Sequence, residues 1–251
     1  MNYETYQQLI YAWMALGVII SLVLFKVVAP YGRYSSSKWG PQISNRLGWI
    51  LMEIPGMMVL MYFMLSNGSG LQLATGILVA FYLFHYINRV FIFPFRIHTR
   101  GKKMPVIVVC MAICFNMING FFLGYYFVHF AQYANDYFFK PQFVAGTVLF
   151  VLGIIINWTY DNKLIHLRLP GETGYVIPYG GLFKWMSCPN LFEEIIEWSG
   201  YALLCWNRPA VSFLVWTVAN LLPRALWHHR LYKQHFEKYP IVRKALIPFV
   251  L

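Results

Sequence analysis

Glu53 interrupts an apolar run over 47–65, and Tyr86 lies inside a second run over 71–93. An ionisable residue in such a run marks function by default, because an apolar surrounding makes it costly to keep. If both runs are helices, Glu53 sits six residues, about 9 Å, from the basic end of its run. Tyr86 sits eight residues, about 12 Å, from the same end of the neighbouring one. The two can therefore face each other at similar depth. A phenol and a protonated carboxyl aimed at one point can both hydrogen-bond a ligand oxygen and stabilise charge developing there. A Glu53 paired with Arg89 or a backbone carbonyl would account for the same residue without chemistry.

More polar groups gather where apolar runs end. Asn157 and Asp161 are spaced i, i+4 and share a helix face. Asn190 and Glu193 read as N-x-x-E, the pattern of a capping box, which is a sufficient account of that pair. It leaves Glu194 and Glu197 unexplained. Arg224, His228 and Tyr232, at i, i+4 and i+8, form one stripe, either a clamp for an anionic ligand or a basic tail on anionic lipid. The segment R-L-P-G-E-T-G-Y (168–175) and P-Y-G-G (178–181) offer Gly-rich turns that can approach a ligand, or are ordinary turns. R-G-K-K (100–103) offers cations to phosphate, or serves topology alone.

The absences narrow the chemistry. There is no G-x-G-x-x-G after a strand and no G-x-x-x-x-G-K-[ST], so any nucleotide is bound outside those frames. There is no H-E-x-x-H, and the seven histidines are scattered, which argues against a metal site. The four cysteines form no framework and are expected as free thiols. The G-x-x-x-G of Gly120 and Gly124 reads as helix packing.

The elements that must position these groups follow from composition. The chain has 251 residues, 59% hydrophobic and only 12% charged, with a mean hydropathy of +0.52. A soluble domain is nearer a quarter charged, so an ordinary cytosolic enzyme, a coiled coil and a disordered chain are excluded. The expected fold is an all-α integral membrane protein of seven transmembrane helices, over about 9–29, 47–65, 71–93, 105–131, 143–160, 191–206 and 209–223. It forms a single domain over 1–251. Cytosolic loops over about 94–104 and 161–190 and a cytosolic tail over 224–251 complete it. The net charge of +11 has a topological origin: 17 of the 20 Lys and Arg fall on odd-numbered loops and the tail, and two on the other side. That bias places the amino terminus outside and the carboxyl terminus in the cytosol. No secretory signal pattern is read at the start.

Several motifs, in order, resemble one family. L-M-E-I-P (51–55), H-Y-I-N-R (85–89), N-x-x-x-D (157–161), L-R-L-P-G-E (167–172) and G-Y-V-I-P-Y-G-G-L-F (174–183) carry it. So do N-L-F-E-E-I-I-E-W-S-G-Y-A-L (190–203), R-A-L-W-H-H-R-L-Y (224–232) and the closing K-Y-P-I-V-R-K-A-L-I-P-F. The chain is similar over nearly its whole length to the steroid 5α-reductase (3-oxo-5α-steroid 4-dehydrogenase) family, in its short form. The resemblance implies a seven-helix reductase that uses NADPH to reduce the 4,5 double bond of 3-oxo-Δ4-steroids. It further implies that Glu53 and Tyr86 hold the 3-oxo group. Arg100, Lys102, Asn157, Asp161, Arg168, Tyr175, Asn190, Glu194, Arg224, His228 and Tyr232 then surround NADPH, and no metal is involved. The implied partners are a steroid or lipid-like enone and the surrounding lipid, without nucleic acid and with no oligomer called for. The membrane is the endoplasmic reticulum or a bacterial inner membrane. A reductase of a sterol ring bond or an enoyl thioester, an isoprenylcysteine methyltransferase, and a seven-helix transporter or receptor stay open beside it.

Overall fold

The computed structural model describes residues 1–251 except 31, 69, 100, 135 and 168–175, and of Arg33 only the backbone. Its long helices are α1 (Tyr3–Leu24), α2 (Asn45–Ser66), α3 (Leu73–Ile87), α5 (Val106–His129), α6 (Pro141–Ile165), α7 (Pro189–Cys205) and α8 (Arg208–His235). A π-helical turn, Asn88–Ile92, continues α3 into a short α4 (Phe93–Arg96). Pro94 explains the wide turn: it has no N–H, and its ring collides with the carbonyl four residues back, so the ladder loosens there. Side-chain caps mark the starts of α1, α2 and α8. Asn2 accepts from Thr5 N–H at 2.8 Å, and Asn207 accepts from Ala210 N–H at 3.0 Å just ahead of Pro209.

Among the described residues, six helices are long and apolar enough to cross a membrane: α1, α2, α3 with α4, α5, α6 and α8. The 17-residue α7 is shorter, about 25 Å at 1.5 Å per residue. It nevertheless runs between the same two ends of the bundle as its neighbours. At one end, β1 (Gln42–Ser44) pairs antiparallel with β2 (Lys103–Pro105), which joins the first loop to the third. Tyr34 donates to the Trp227 carbonyl, and Ser187, just ahead of α7, bonds to Lys244 of the closing segment. At the other end, Tyr133 donates to the Cys205 carbonyl and accepts from Asn207, while Met1 reaches Tyr125. The basic odd-numbered loops and the tail thus gather on one side of the bundle, and the even-numbered loops gather with the amino terminus on the other.

Two helix pairs are the most intimate, α6 with α7 and α2 with α5. Both depend on glycine. A Cβ at Gly124 would strike Phe63 and one at Gly120 would meet the Gly56 carbonyl at 3.1 Å, so this G-x-x-x-G is the packing face it was read as. The first and last long helices also pack together. Arg208 donates to Gln7 at 2.7 Å, Trp216 to the Trp13 carbonyl at 3.0 Å and Trp227 to the Leu24 carbonyl at 2.9 Å. A core of Leu60, Leu78, Tyr82, Leu123, Phe150, Trp198 and Phe213 fills the middle.

Four expected bounds need correction by five residues or more. The first helix runs over Tyr3–Leu24, not about 9–29, and α6 continues to Ile165, past 160. The last does not stop at 223: α8 runs to His235, so Arg224, His228 and Tyr232 stand on a helix and not in a separate tail. Pro223 lies inside α8, and a polar last third hid the continuation from any apolar count.

Candidate active site

Glu53 on α2 and Tyr86 on α3 meet at a third residue, Asn116 on α5. The Tyr86 hydroxyl donates to Asn116 Oδ1 at 2.8 Å. Asn116 Nδ2 donates to the Met52 carbonyl, one residue before Glu53. The Glu53 carboxyl lies close to the Asn116 side chain. Tyr86 and Asn116 are buried and Glu53 is half-buried. The sequence singled out Glu53 and Tyr86 but passed over Asn116. Its signal was an unpaired amide in an apolar helix, a group that must find internal partners in lipid.

The Tyr86 ring packs against two neighbouring rings. The Tyr82 ring centroid lies 4.6 Å away and the His85 ring 5.3 Å. His85 Nδ1 in turn sits 2.6 Å from Glu197 Oε1, a buried pair that fastens α3 to α7. On α2, Gly56 leaves the space the phenol occupies, since a Cβ there would stand 2.7 Å from Tyr86 Cε1 and 2.9 Å from its hydroxyl. Gly56→Ala is therefore expected to displace the phenol and cut kcat by about 10–100-fold, as a misplacement near 1 Å does. The thermal midpoint should change little. Unchanged steady-state turnover in the variant would show that the ring's position is not critical. Arg89, the alternative partner for Glu53, lies over the Trp49 and Phe93 rings at 4.7 and 4.9 Å.

The second polar set assembles where α6 meets α7. Asn157 Nδ2 donates to Glu193 Oε1, and both residues are buried. This overturns the capping-box reading of Asn190 and Glu193. Pro189 opens α7, the cap position is Cys188, and no side chain caps it, so Glu193 turns inward to α6 instead. Asp161 is buried one turn beyond Asn157, and its Oδ2, like Glu193 Oε2, has no hydrogen-bond partner among the described residues. Glu194 lies within electrostatic reach of Glu53, Tyr86, Asp161 and Glu193, which joins this set to the first. Asn190 is half-buried in the first turn of α7.

The remaining expected residues lie toward the loops. His228 packs near Tyr34 of the first loop, with ring centroids 5.8 Å apart. The Arg224 guanidinium lies beside Gly32, whose φ of +62° is a conformation that favours glycine. Tyr232 is buried and stacks on Tyr239 at 5.5 Å. Lys102 is exposed in the third loop, next to β2. Arg100, Arg168 and Tyr175 lie outside the described residues. All four cysteines are free. Among the described residues no group of three His, Cys, Asp or Glu is placed to hold a metal ion.

A nucleotide cofactor fits this donor set. The bare acceptor oxygens of Asp161 and Glu193 suit hydroxyl or amide donors, and Arg224 and Lys102 suit phosphates. The Glu53–Tyr86–Asn116 constellation suits a carbonyl oxygen. What the arrangement can do is hold a phosphate-bearing redox partner against an apolar ligand whose oxygen is hydrogen-bonded deeper in the bundle.

Comparison with known proteins agrees with that picture. The family model described as 3-oxo-5-alpha-steroid 4-dehydrogenase matches residues 102–251. The bovine protein 3-oxo-5-alpha-steroid 4-dehydrogenase 1 is 39% identical over 97% of this chain and 96% of its own length. The human protein of that name is 39% identical over 88% and 85%, respectively. Steroid 5-alpha-reductase DET2 of Gossypium hirsutum is 38% identical over 94% of this chain and 93% of its own. With matches of this length and identity, the chain belongs to the 3-oxo-5-alpha-steroid 4-dehydrogenase family and is an oxidoreductase.

Proposed function

We propose that this protein reduces the 4,5 double bond of 3-oxo-Δ4-steroids with NADPH, inside a membrane. The observation that carries the reading is the meeting of Glu53 and Tyr86 around Asn116, with Tyr86 bonded to that amide and Glu53 close beside it, within reach of Glu194 and the polar set around Asn157 and Asp161. In a conjugated enone, charge collects on the ketone oxygen as the β-carbon is reduced. With the ketone bound, the Tyr86 hydroxyl turns its one proton from Asn116 Oδ1 to that oxygen, a protonated Glu53 donates beside it, and together they stabilise the enolate. NADPH, when bound, supplies the hydride. Asn157, Asp161, Asn190 and Glu194 orient its nicotinamide half, while Lys102, Arg224, His228 and Tyr232, with Arg100, Arg168 and Tyr175, serve the remainder. The α-carbon takes its proton from water. The apolar walls around Tyr86 exclude bulk solvent and strengthen both hydrogen bonds to the oxygen.

The reading includes seven crossings, with α7 as the shortest, the amino terminus outside and the cofactor face in the cytosol. The gathering of the basic odd-numbered loops at one end supports it. The membrane is the endoplasmic reticulum or a bacterial inner membrane. The test is direct. Purified protein is given NADPH and a 3-oxo-Δ4-steroid, and the products are separated by chromatography. A 5α-reduced steroid formed in step with NADPH consumption is expected. Cofactor consumption with an enoyl thioester but no steroid would replace this reading.

A further inference from the structure

We propose that the crevice between the α3–α4 segment and α6 binds an anionic glycerophospholipid with a hydroxyl-bearing headgroup, phosphatidylglycerol being the simplest. This rests on the membrane reading but not on the catalytic one. α6 packs on α7, and α3 on α2 and α7, so the seam between α3 and α6 is left open on the outer face. Its deeper section is a cavity of ≈ 370 Å³ walled by Phe81, Phe84, Val151 and Ile155 and almost purely apolar. One turn along both helices it becomes a cavity of ≈ 640 Å³ lined by Asn88, Arg96, Trp158, Asn162 and Lys163. The Phe84 and Trp158 rings, stacked at 6.2 Å, join the two sections.

The chemistry along this crevice changes in the order a phospholipid requires. Arg96 and Lys163 stand at the end where the basic loops gather. Arg96 is steadied by Asn162 Oδ1 at 3.3 Å, and no carboxylate lines this section among the described residues. Twelve residues separate Arg96 from Phe84, about 18 Å of helix, which is the reach of an acyl chain. Trp158, half exposed between charge and hydrocarbon, is the kind of side chain found at a lipid interface. A cationic pocket between helices on the cytosolic side suits an anionic headgroup.

Asn88 sharpens the ligand class. It lines the polar section, is 5% exposed, and among the described residues its Oδ1 has no hydrogen-bond partner. An acceptor left bare there needs a donor. Neither a phosphate diester nor a choline headgroup supplies one, whereas a glycerol headgroup does. The site shares no residue with the reductive centre, although Arg96 lies within electrostatic reach of Asp161. On α6, Trp158 and Asn162 face outward, while Asn157 and Asp161 face inward.

The test uses the full chain in detergent. Phosphatidylglycerol is expected to raise the thermal midpoint by roughly 5 °C more than phosphatidylcholine does, and native mass spectrometry should retain it preferentially. The double variant Arg96→Glu/Lys163→Glu should lose that difference and bind phosphatidylglycerol at least ~10-fold more weakly, with its lipid-free midpoint unchanged. Should that variant fold poorly, Ile155→Trp, which fills the apolar section from an exposed position, must weaken retention of the same lipid. Equal shifts from both lipids, a preference that survives both variants, or an equal gain from soluble glycerol phosphate would overturn the proposal. Because turnover is read separately, a protein that binds the lipid yet reduces no steroid would sink only the catalytic reading.

Discussion

Tyr86→Phe is expected to lower turnover of a 3-oxo-Δ4-steroid by about 10²–10³-fold, the cost of removing one donor aimed at a developing oxyanion. The change deletes a single oxygen. The ring keeps its stack with Tyr82 and its fit against Gly56, so the bundle should be undisturbed. Asn116 Oδ1 loses its donor, which costs on the order of 1–3 kcal/mol of stability at most. NADPH affinity, followed by fluorescence titration, should not move, because the proposed cofactor set lies on α6, α7, α8 and the third and fifth loops and includes no residue of α3. Glu53→Gln should behave alike. Its amide keeps the size of the side chain but exchanges a carboxyl O–H for a weaker donor. If either variant lost NADPH binding while its remaining chemistry ran at full rate, the division of roles between the two sets would be wrong.

The second large effect is expected far from any reacting atom. A Cβ added at Gly153 of α6 would lie 2.6 Å from Glu197 Cβ and 2.7 Å from both the Cα and the N of Glu197. These are parts of a neighbouring helix, not the tip of a flexible side chain, so α7 must shift as a body. Overpacking of this kind costs about 1–3 kcal/mol. The shift also falls on Glu197, which holds His85 beside Tyr86, and one turn from Glu193, which holds Asn157. Gly153→Ala should therefore lower the thermal midpoint by roughly 3–10 °C and weaken NADPH binding together. Gly76, on α3, is the control. Nothing stands within 4 Å of a Cβ there, so Gly76→Ala should be neutral or slightly stabilising. Equal midpoints for the two variants would refute the argument from close approach.

Much of this was legible in the sequence because lipid imposes simple rules. Apolar runs broken by turn residues mark the helices, and charge asymmetry sorts their ends, as the loop contacts at each end also do. Glu53 and Tyr86 were visible because polar groups in such runs are rare. Asn116 was not, since the two uncharged amides of M-A-I-C-F-N-M-I-N-G, Asn116 and Asn119, look alike in the sequence, and only the packing of α5 on α2 gives Asn116 its meaning. Glu193 misled for the opposite reason. N-x-x-E fits a cap well, but a proline one residue earlier starts the helix and leaves the carboxylate facing α6. The far third of α8 was lost because the helix outlasts its own hydrophobicity.

The bonds between α1 and α8 set a timetable. Gln7 and Arg208 are 201 positions apart, and the Trp13–Trp216 and Leu24–Trp227 pairs are similarly remote. At ordinary elongation rates of 5–20 residues per second, α1 leaves the ribosome roughly 10–40 s before its partner exists. Throughout that interval Gln7 faces the bilayer, or whatever shields nascent helices there, without Arg208. The bundle closes only when the last long helix arrives, so quality control of this protein turns on its final sixth of synthesis.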